Sequence, residues 1–258
     1  MSERVSWGET PLIAGTTSLI GRRSLLRLCA VSGIASVLSP LLGSNQGRAD
    51  VICNPDRPTT PTNALAALVQ GNERWATFGQ IHPGEDAARR TCAAENPQTP
   101  FAAIISCSDS RVPPELLFDQ GIGDLFVARV AGNVATATLT ESLYYGTDTL
   151  GALVLFVLGH SDCGAVKAAV TSFPRHELEF VQLLFPAVNR ARVLVKKAGG
   201  DPTDPAQVIP VATDQNVILS VQALRRSRFF KKAVDDGSLL IAGGVYQLDT
   251  QVVTVLTQ

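Results

Sequence analysis

FAAIISCSDSR, residues 101–111, decides how this chain is read. Its first six residues form a short, almost wholly apolar run with no period-two alternation. Such a run is a strand covered on both faces, and strands of that kind belong to parallel sheets. The next five residues carry a thiol (Cys107), a carboxylate (Asp109) and a guanidinium (Arg111). Ligands collect at the carboxyl ends of strands in an open α/β sheet. Reactive groups placed directly after a buried strand therefore mark a site.

Working outward, residues 125–130 and 152–158 are apolar runs of the same kind, with a helical segment at 138–150 between them. Ahead of the first strand, residues 62–78 place Ala64, Leu65, Leu68, Val69 and Trp75 at helical spacing, with Thr62 or Asn63 as the cap. A second short helix is expected at 84–92. Two more fit residues 176–197 and 205–230. The chain closes with strands at 239–248 and 251–256, joined across Asp249 and Thr250 by a tight hairpin, so the last strand is expected to be antiparallel. The pattern predicts an α/β domain: a mostly parallel sheet flanked by helices, with an antiparallel C-terminal edge strand and an N-terminal helical arm.

With 258 residues, 45% of them hydrophobic and 17% charged, the chain can build one domain with a full core. A net charge of -1 argues against nucleic acid or an anionic membrane as the main partner. The first fifty residues read differently. Arg22 and Arg23 in GRRSLLRL precede a weakly apolar stretch at 25–43, and Gly47-Arg48-Ala49 offers small residues for a signal peptidase. Arg27, Gly33 and Pro40 interrupt the run of ~20 apolar residues that a membrane span requires. The expected organisation is a twin-arginine signal peptide at 1–49, a linker at 50–61 (including NPDRPTTP) and one domain at 62–258, exported to the periplasm or an equivalent extracytoplasmic place.

The third strand run ends in LGHSDCGAV, residues 158–166. His160 and Cys163 stand one helical turn apart at a strand-to-helix junction. With Cys107 they make two thiolates and one imidazole, a catalytic zinc set whose fourth position stays open. Zinc acidifies a bound water. Two thiolates cancel its charge, so this site acidifies water less than three neutral imidazoles do, where the pKa falls to about 7. Asp109 supplies the missing help by accepting a hydrogen bond from the attacking oxygen. Left free, that carboxylate would itself ligate zinc. Arg111 can hold it back with a bidentate pair, which lysine, lacking the planar fork, would do poorly. Asp162 is expected to cap the following helix. Gly164, at the start of that helix, can present its N–H to an anion.

The chain resembles the β-class carbonic anhydrases from about Pro61 to its end. CSDSR and GHSDCGAV match the two signatures of that family, and GNERW, FVARVAGN, ESLYYGTDTLG and GGVYQLDT look like its secondary motifs. The resemblance implies Cys107, His160 and Cys163 as ligands of one zinc per chain, and Asp109 and Arg111 as the catalytic dyad. It places Gln98 as the substrate amide of the plant-type branch, with Phe126, Tyr145 and Ala131 around an apolar pocket. Ile104 and Ser106 stand where the allosteric branch carries Trp and Gly, so no regulatory bicarbonate site is expected. The implied activity is reversible hydration of carbon dioxide to bicarbonate and a proton. The implied assembly is a homodimer or dimer of dimers, with the arm at 64–78 embracing the partner and the pocket formed at that interface.

Two rival readings stand beside this one: a carbonyl sulfide or carbon disulfide hydrolase on the same scaffold, and a non-catalytic zinc-binding protein. The intact Asp109 and Arg111 speak against the second. His82 and His176 are assigned to the surface. Of the five cysteines, Cys29 leaves with the signal and zinc takes Cys107 and Cys163. Cys53 and Cys92 are left as an even pair. A disulfide between them, two free thiols, or a bridge to a partner chain are the alternatives.

Overall fold

The computed structural model describes residues 52–258. The expectations for the signal peptide, its Arg22–Arg23 pair and Cys29 lie outside those residues. Helix α1 (Pro61–Ala76) starts ahead of both expected caps, because Thr60 accepts the Asn63 N–H and Pro61 takes the first helical position. It buries Ala64, Leu65 and Leu68 along one face. Its buried Asn72 donates to the carbonyls of Leu117 and Gln251 and accepts from the Val253 N–H, which fixes the helix to the end of the sheet. Helix α2 (Ala87–Glu95) begins later than expected because Asp86 is its cap.

Five strands form one sheet: β1 (Ala102–Ser106), β2 (Leu125–Arg129), β3 (Val154–His160), β4 (Leu240–Tyr246) and β5 (Val253–Thr257), ordered β2-β1-β3-β4-β5. The first four are parallel and β5 pairs antiparallel with β4, as the sequence predicts. Strands β1 and β3 are buried along their whole length. Ile104, Phe156 and Leu158 pack on one face of the sheet, and Ala103, Ile105, Leu155 and Val157 on the other. Burying a large side chain of this kind stabilises the fold by about 1.5–3 kcal/mol.

Helix α3 (Pro114–Leu117) follows the Cys107 loop, and α4 (Ala137–Tyr144) runs into a π-helical turn, Tyr145–Thr149, where one continuous helix is expected from sequence. Helix α5 (Gly164–Ser172) leaves the end of β3. The helix expected at 176–197 divides into α6 (Glu179–Gln182) and α7 (Phe185–Lys197). Pro186 explains the division: it has no N–H to continue a helix but suits the first turn of a new one. Helix α8 (Pro205–Arg226) ends at Ser227, whose extended backbone separates it from α9 (Lys231–Asp235).

Within the stretch read as a linker, residues 53–57 are held by distant partners. Cys53 is bridged to Cys92, with 5.7 Å between their Cα atoms. The Asn54 side chain donates to Asp124 at 2.8 Å, and Arg57 donates to the carbonyls of Pro100 and Gly151 at 3.0 and 2.7 Å. Composition marks such a segment as irregular; it does not show that polar groups across the fold will hold it. No helix among the described residues is long and apolar enough to cross a membrane.

Candidate metal centre and active site

Strands β1 and β3 are neighbours in parallel register, Ser106 opposite Leu158, so both deliver their next residues to the same edge of the sheet. Cys107 follows β1, His160 closes β3, and Cys163 is the residue from which α5 starts. All three are buried, and their ligand atoms lie within 4.8 Å of one another. The two sulfurs are 4.0 Å apart. His160 Nδ1 lies 2.8 Å from the Ser161 carbonyl. A carbonyl only accepts, so Nδ1 carries the proton and Nε2 keeps its lone pair. That Nε2 is buried and meets no hydrogen-bond partner. An orphaned lone pair facing two thiols is what a zinc ion needs, and the donor set fits one.

The thiols are electrically linked. The Cys107 thiol is pulled down to about 4, chiefly by a hydrogen bond from Cys163 and also by the Gly132 N–H, with burial opposing. Cys163 is pushed up in turn by the Cys107 sulfur beside it and by burial. Asp109 meets Arg111 in the bidentate geometry expected from the sequence: Nε to Oδ1 at 2.9 Å and Nη2 to Oδ2 at 2.8 Å. The Arg111 backbone N–H adds a third bond to Oδ1 at 2.9 Å. The guanidinium holds the Asp109 carboxyl well below the usual carboxylate range, and the carboxylate raises Arg111 in return. Asp109 Oδ2 stands 3.9 Å from His160 Nε2, on the metal side.

Asp162 does not cap α5. Cys163 occupies the cap position and no side chain bonds the helix end. Asp162 has a positive φ of 60° and turns its carboxylate to Lys167 and to Arg111 Nη1 at 3.4 Å. Lys167 and then Arg111 lower its pKa. A cap requires an extended backbone, and the left-handed turn that brings His160 and Cys163 to one point removes that option. Gly164 opens α5 next to Cys163, and a Cβ placed there would meet nothing within 4 Å. That side of the centre is open.

The other expected pocket residues divide. Ala131 begins the short turn Ala131–Asn133 beside Cys107. Phe126 pairs in register with Ala103, four residues before Cys107, or about 13 Å along the strand. Tyr145 packs on Phe126 with ring centroids 6.2 Å apart and is exposed. Gln98 is exposed in the loop before β1, at the opposite end of that strand from Cys107. One chain therefore pairs Phe126 with Tyr145 away from its own metal ligands, and Gln98 precedes the far end of β1. His82 is exposed and His176 partly so.

Sequence reading missed the parts played by three residues. Arg129 donates to the carbonyls of Cys107 at 2.9 Å and Asp109 at 2.6 Å. The Gly132 N–H donates to Cys107 Sγ at 3.3 Å, and Asn216 donates to the Gly132 carbonyl at 2.9 Å. Arg129 and Gly132 left a signal only as members of FVARVAGN, and Asn216 left none.

Two thiolates and an imidazole at the carboxyl edge of a parallel sheet, open on one side and flanked by a clamped carboxylate, define a zinc enzyme of the α/β class. The profile of the carbonic anhydrase family matches residues 102–253. Carbonic anhydrase 2 of Mycobacterium tuberculosis is 34% identical over 193 residues, covering 74% of this chain and 90% of its own. The β-carbonic anhydrase of Coccomyxa, solved in complex with acetazolamide, superposes with a TM-score of 0.56 at 29% identity, covering 74% of this chain and 86% of its own. A tetrameric β-carbonic anhydrase of Sordaria macrospora shares the fold with a TM-score of 0.57 at 22% identity, over 75% of this chain and 97% of its own. The chain belongs to the carbonic anhydrase family, in its β class.

Proposed function

We propose that this chain catalyses the reversible hydration of carbon dioxide to bicarbonate and a proton. The observation that carries the reading is the Asp109–Arg111 pair beside Cys107, His160 and Cys163: a purely structural zinc site has no use for it. When bound, zinc supplies a water acidified enough to attack carbon dioxide. Cys107, Cys163 and His160 Nε2 would hold the ion. Asp109 Oδ2 accepts a hydrogen bond from the attacking oxygen and turns its lone pair toward the substrate. Arg111 keeps both carboxylate oxygens occupied, so Asp109 stays off the metal. The Gly164 N–H, with open space beside it, can donate to the product. The carbonyl sulfide, carbon disulfide and non-catalytic alternatives are not favoured. Stopped-flow assay of the zinc-loaded protein tests the activity; absence of carbon dioxide hydration would overturn it.

The working unit is proposed to be a homodimer or dimer of dimers in the plant-type arrangement. Gln98, Phe126 and Tyr145 are exposed or partly so and lie away from their own metal ligands, so a second copy would bring them to the pocket. Export by the twin-arginine route is proposed from Arg22 and Arg23. The Cys53–Cys92 bridge suits an oxidising compartment, while the dithiolate site gains from being loaded in a reducing one before a folded-protein route carries it out. Changing both Arg22 and Arg23 to Lys should retain the protein inside the cell; unchanged export of that double variant would sink the assignment.

A further inference from the structure

Cys107 receives a hydrogen bond on its sulfur from the Gly132 N–H at 3.3 Å. Gly132 holds a φ of 74°, and a Cβ there would approach Leu184 to 3.0 Å and Ala165 to 3.1 Å, so the position is reserved for glycine. The Gly132 carbonyl accepts from Asn216 Nδ2 at 2.9 Å across 84 residues of sequence. Asn216 is buried on α8 beside Ala212, Thr213 and Val217. A buried amide on such a face is costly unless it is bonded. Thr213, the neighbouring buried polar residue, satisfies its hydroxyl within its own helix at the Ile209 carbonyl. Asn216 reaches out of the helix, and what it holds is the peptide that faces a metal ligand.

We propose that Asn216 is a positioning residue of the metal centre, aiming the Gly132 N–H at the Cys107 sulfur. The inference rests on the zinc reading given under Proposed function. Two thiolates donate much negative charge to one ion, which blunts its pull on water. An N–H···S bond draws density away from one thiolate and leaves the ion a stronger Lewis acid. Partners of metal ligands commonly change affinity or activity by 10- to 100-fold when removed. Asn216 thus serves the reaction without touching substrate or metal.

The test compares the wild type, Asn216→Leu and Thr213→Val, each loaded with cobalt(II) for spectroscopy and with zinc for kinetics. Asn216→Leu is expected to bind one cobalt per chain with its sulfur-to-cobalt charge-transfer band moved to longer wavelength, because the thiolate becomes richer in electrons. Its zinc form should lose about 10-fold in kcat, with KM within about twofold of wild type. Thr213→Val should leave the band in place. An unmoved band in Asn216→Leu, or an equal shift in Thr213→Val, would overturn the proposal. Asn216→Ser is read in the same way if the leucine variant does not fold. A wild type inactive on carbon dioxide with a shifted Asn216→Leu band refutes the function and keeps the relay. An active wild type with an unmoved band does the reverse.

Discussion

Asp109→Asn separates orientation from metal binding. The amide is nearly isosteric with the carboxylate, but its two ends are no longer equivalent. Oδ1 accepts two donors at 2.9 Å, the backbone N–H and Nε of Arg111. The amide oxygen belongs there, which forces the NH2 group into the Oδ2 position. Oδ2 is the atom bonded to Arg111 Nη2 at 2.8 Å and lying 3.9 Å from His160 Nε2. The substitution therefore sets a donor against Nη2, and it turns the acceptor on the metal side into a donor. No metal ligand changes. Losing one preorganised partner of the reacting oxygen costs about 10²- to 10³-fold in kcat, or about 3–4 kcal/mol. The assay is stopped-flow carbon dioxide hydration on protein whose zinc content is measured in the same sample. Full zinc with kcat within about threefold of wild type would refute the orienting role, since that leaves less than 1 kcal/mol to assign. Loss of zinc would instead make Asp109 a support of the Cys107 loop.

Three further outcomes follow from the same contacts. Arg111→Ala leaves Asp109 with the backbone N–H alone, so activity should fall by at least as much as in Asp109→Asn, and a crystal structure should show the carboxylate on zinc; a water at that position would end the clamp argument. Replacing Cys53 and Cys92 by Ser opens a loop spanning 39 residues of sequence and should lower unfolding stability by up to about 4 kcal/mol in the chain-entropy model, read from urea unfolding of zinc-saturated protein; an unchanged midpoint would show that Asn54 and Arg57 hold the segment unaided. Burial pushes the Asp119 carboxyl up, but Arg74 at 2.6 Å and the N–H groups of Ile81 and His82 at 3.1 Å outweigh it and leave its pKa lowered. A depressed folded pKa contributes stability above the unfolded value of about 4, and that stability is lost as pH falls through the lower folded value. Asp119→Asn should therefore flatten the acid limb of a melting-temperature profile, and an unaltered limb would show that other carboxylates set it.

The sequence by itself determined the buried strands and the residues at their ends. Continuous apolar runs allow few environments, and a thiol or imidazole directly after such a run is carried to the carboxyl edge by chain geometry alone. Cys107, Asp109, Arg111, His160 and Cys163 were legible for that reason, because each lies within a few residues of a strand end. The antiparallel last strand was legible from its short connection. Tertiary structure decided whatever depends on groups distant in the chain. Asp162 looked like a cap locally, but it turns to Lys167 and Arg111 because closing the metal site imposes a left-handed backbone there. Cys53, Asn54 and Arg57 looked like parts of a linker, yet Cys92, Asp124 and two distant carbonyls hold them. Asn216 carried no local mark, since a hydrogen bond across 84 residues is set by how α8 packs on the sheet. Phe126, Tyr145 and Gln98 were named from their resemblance, but only the parallel register shows that they stand at the other end of the sheet from Cys107 in the same chain. Periodicity and spacing report what a residue's neighbours in sequence impose, and partners brought together by packing leave no trace in either.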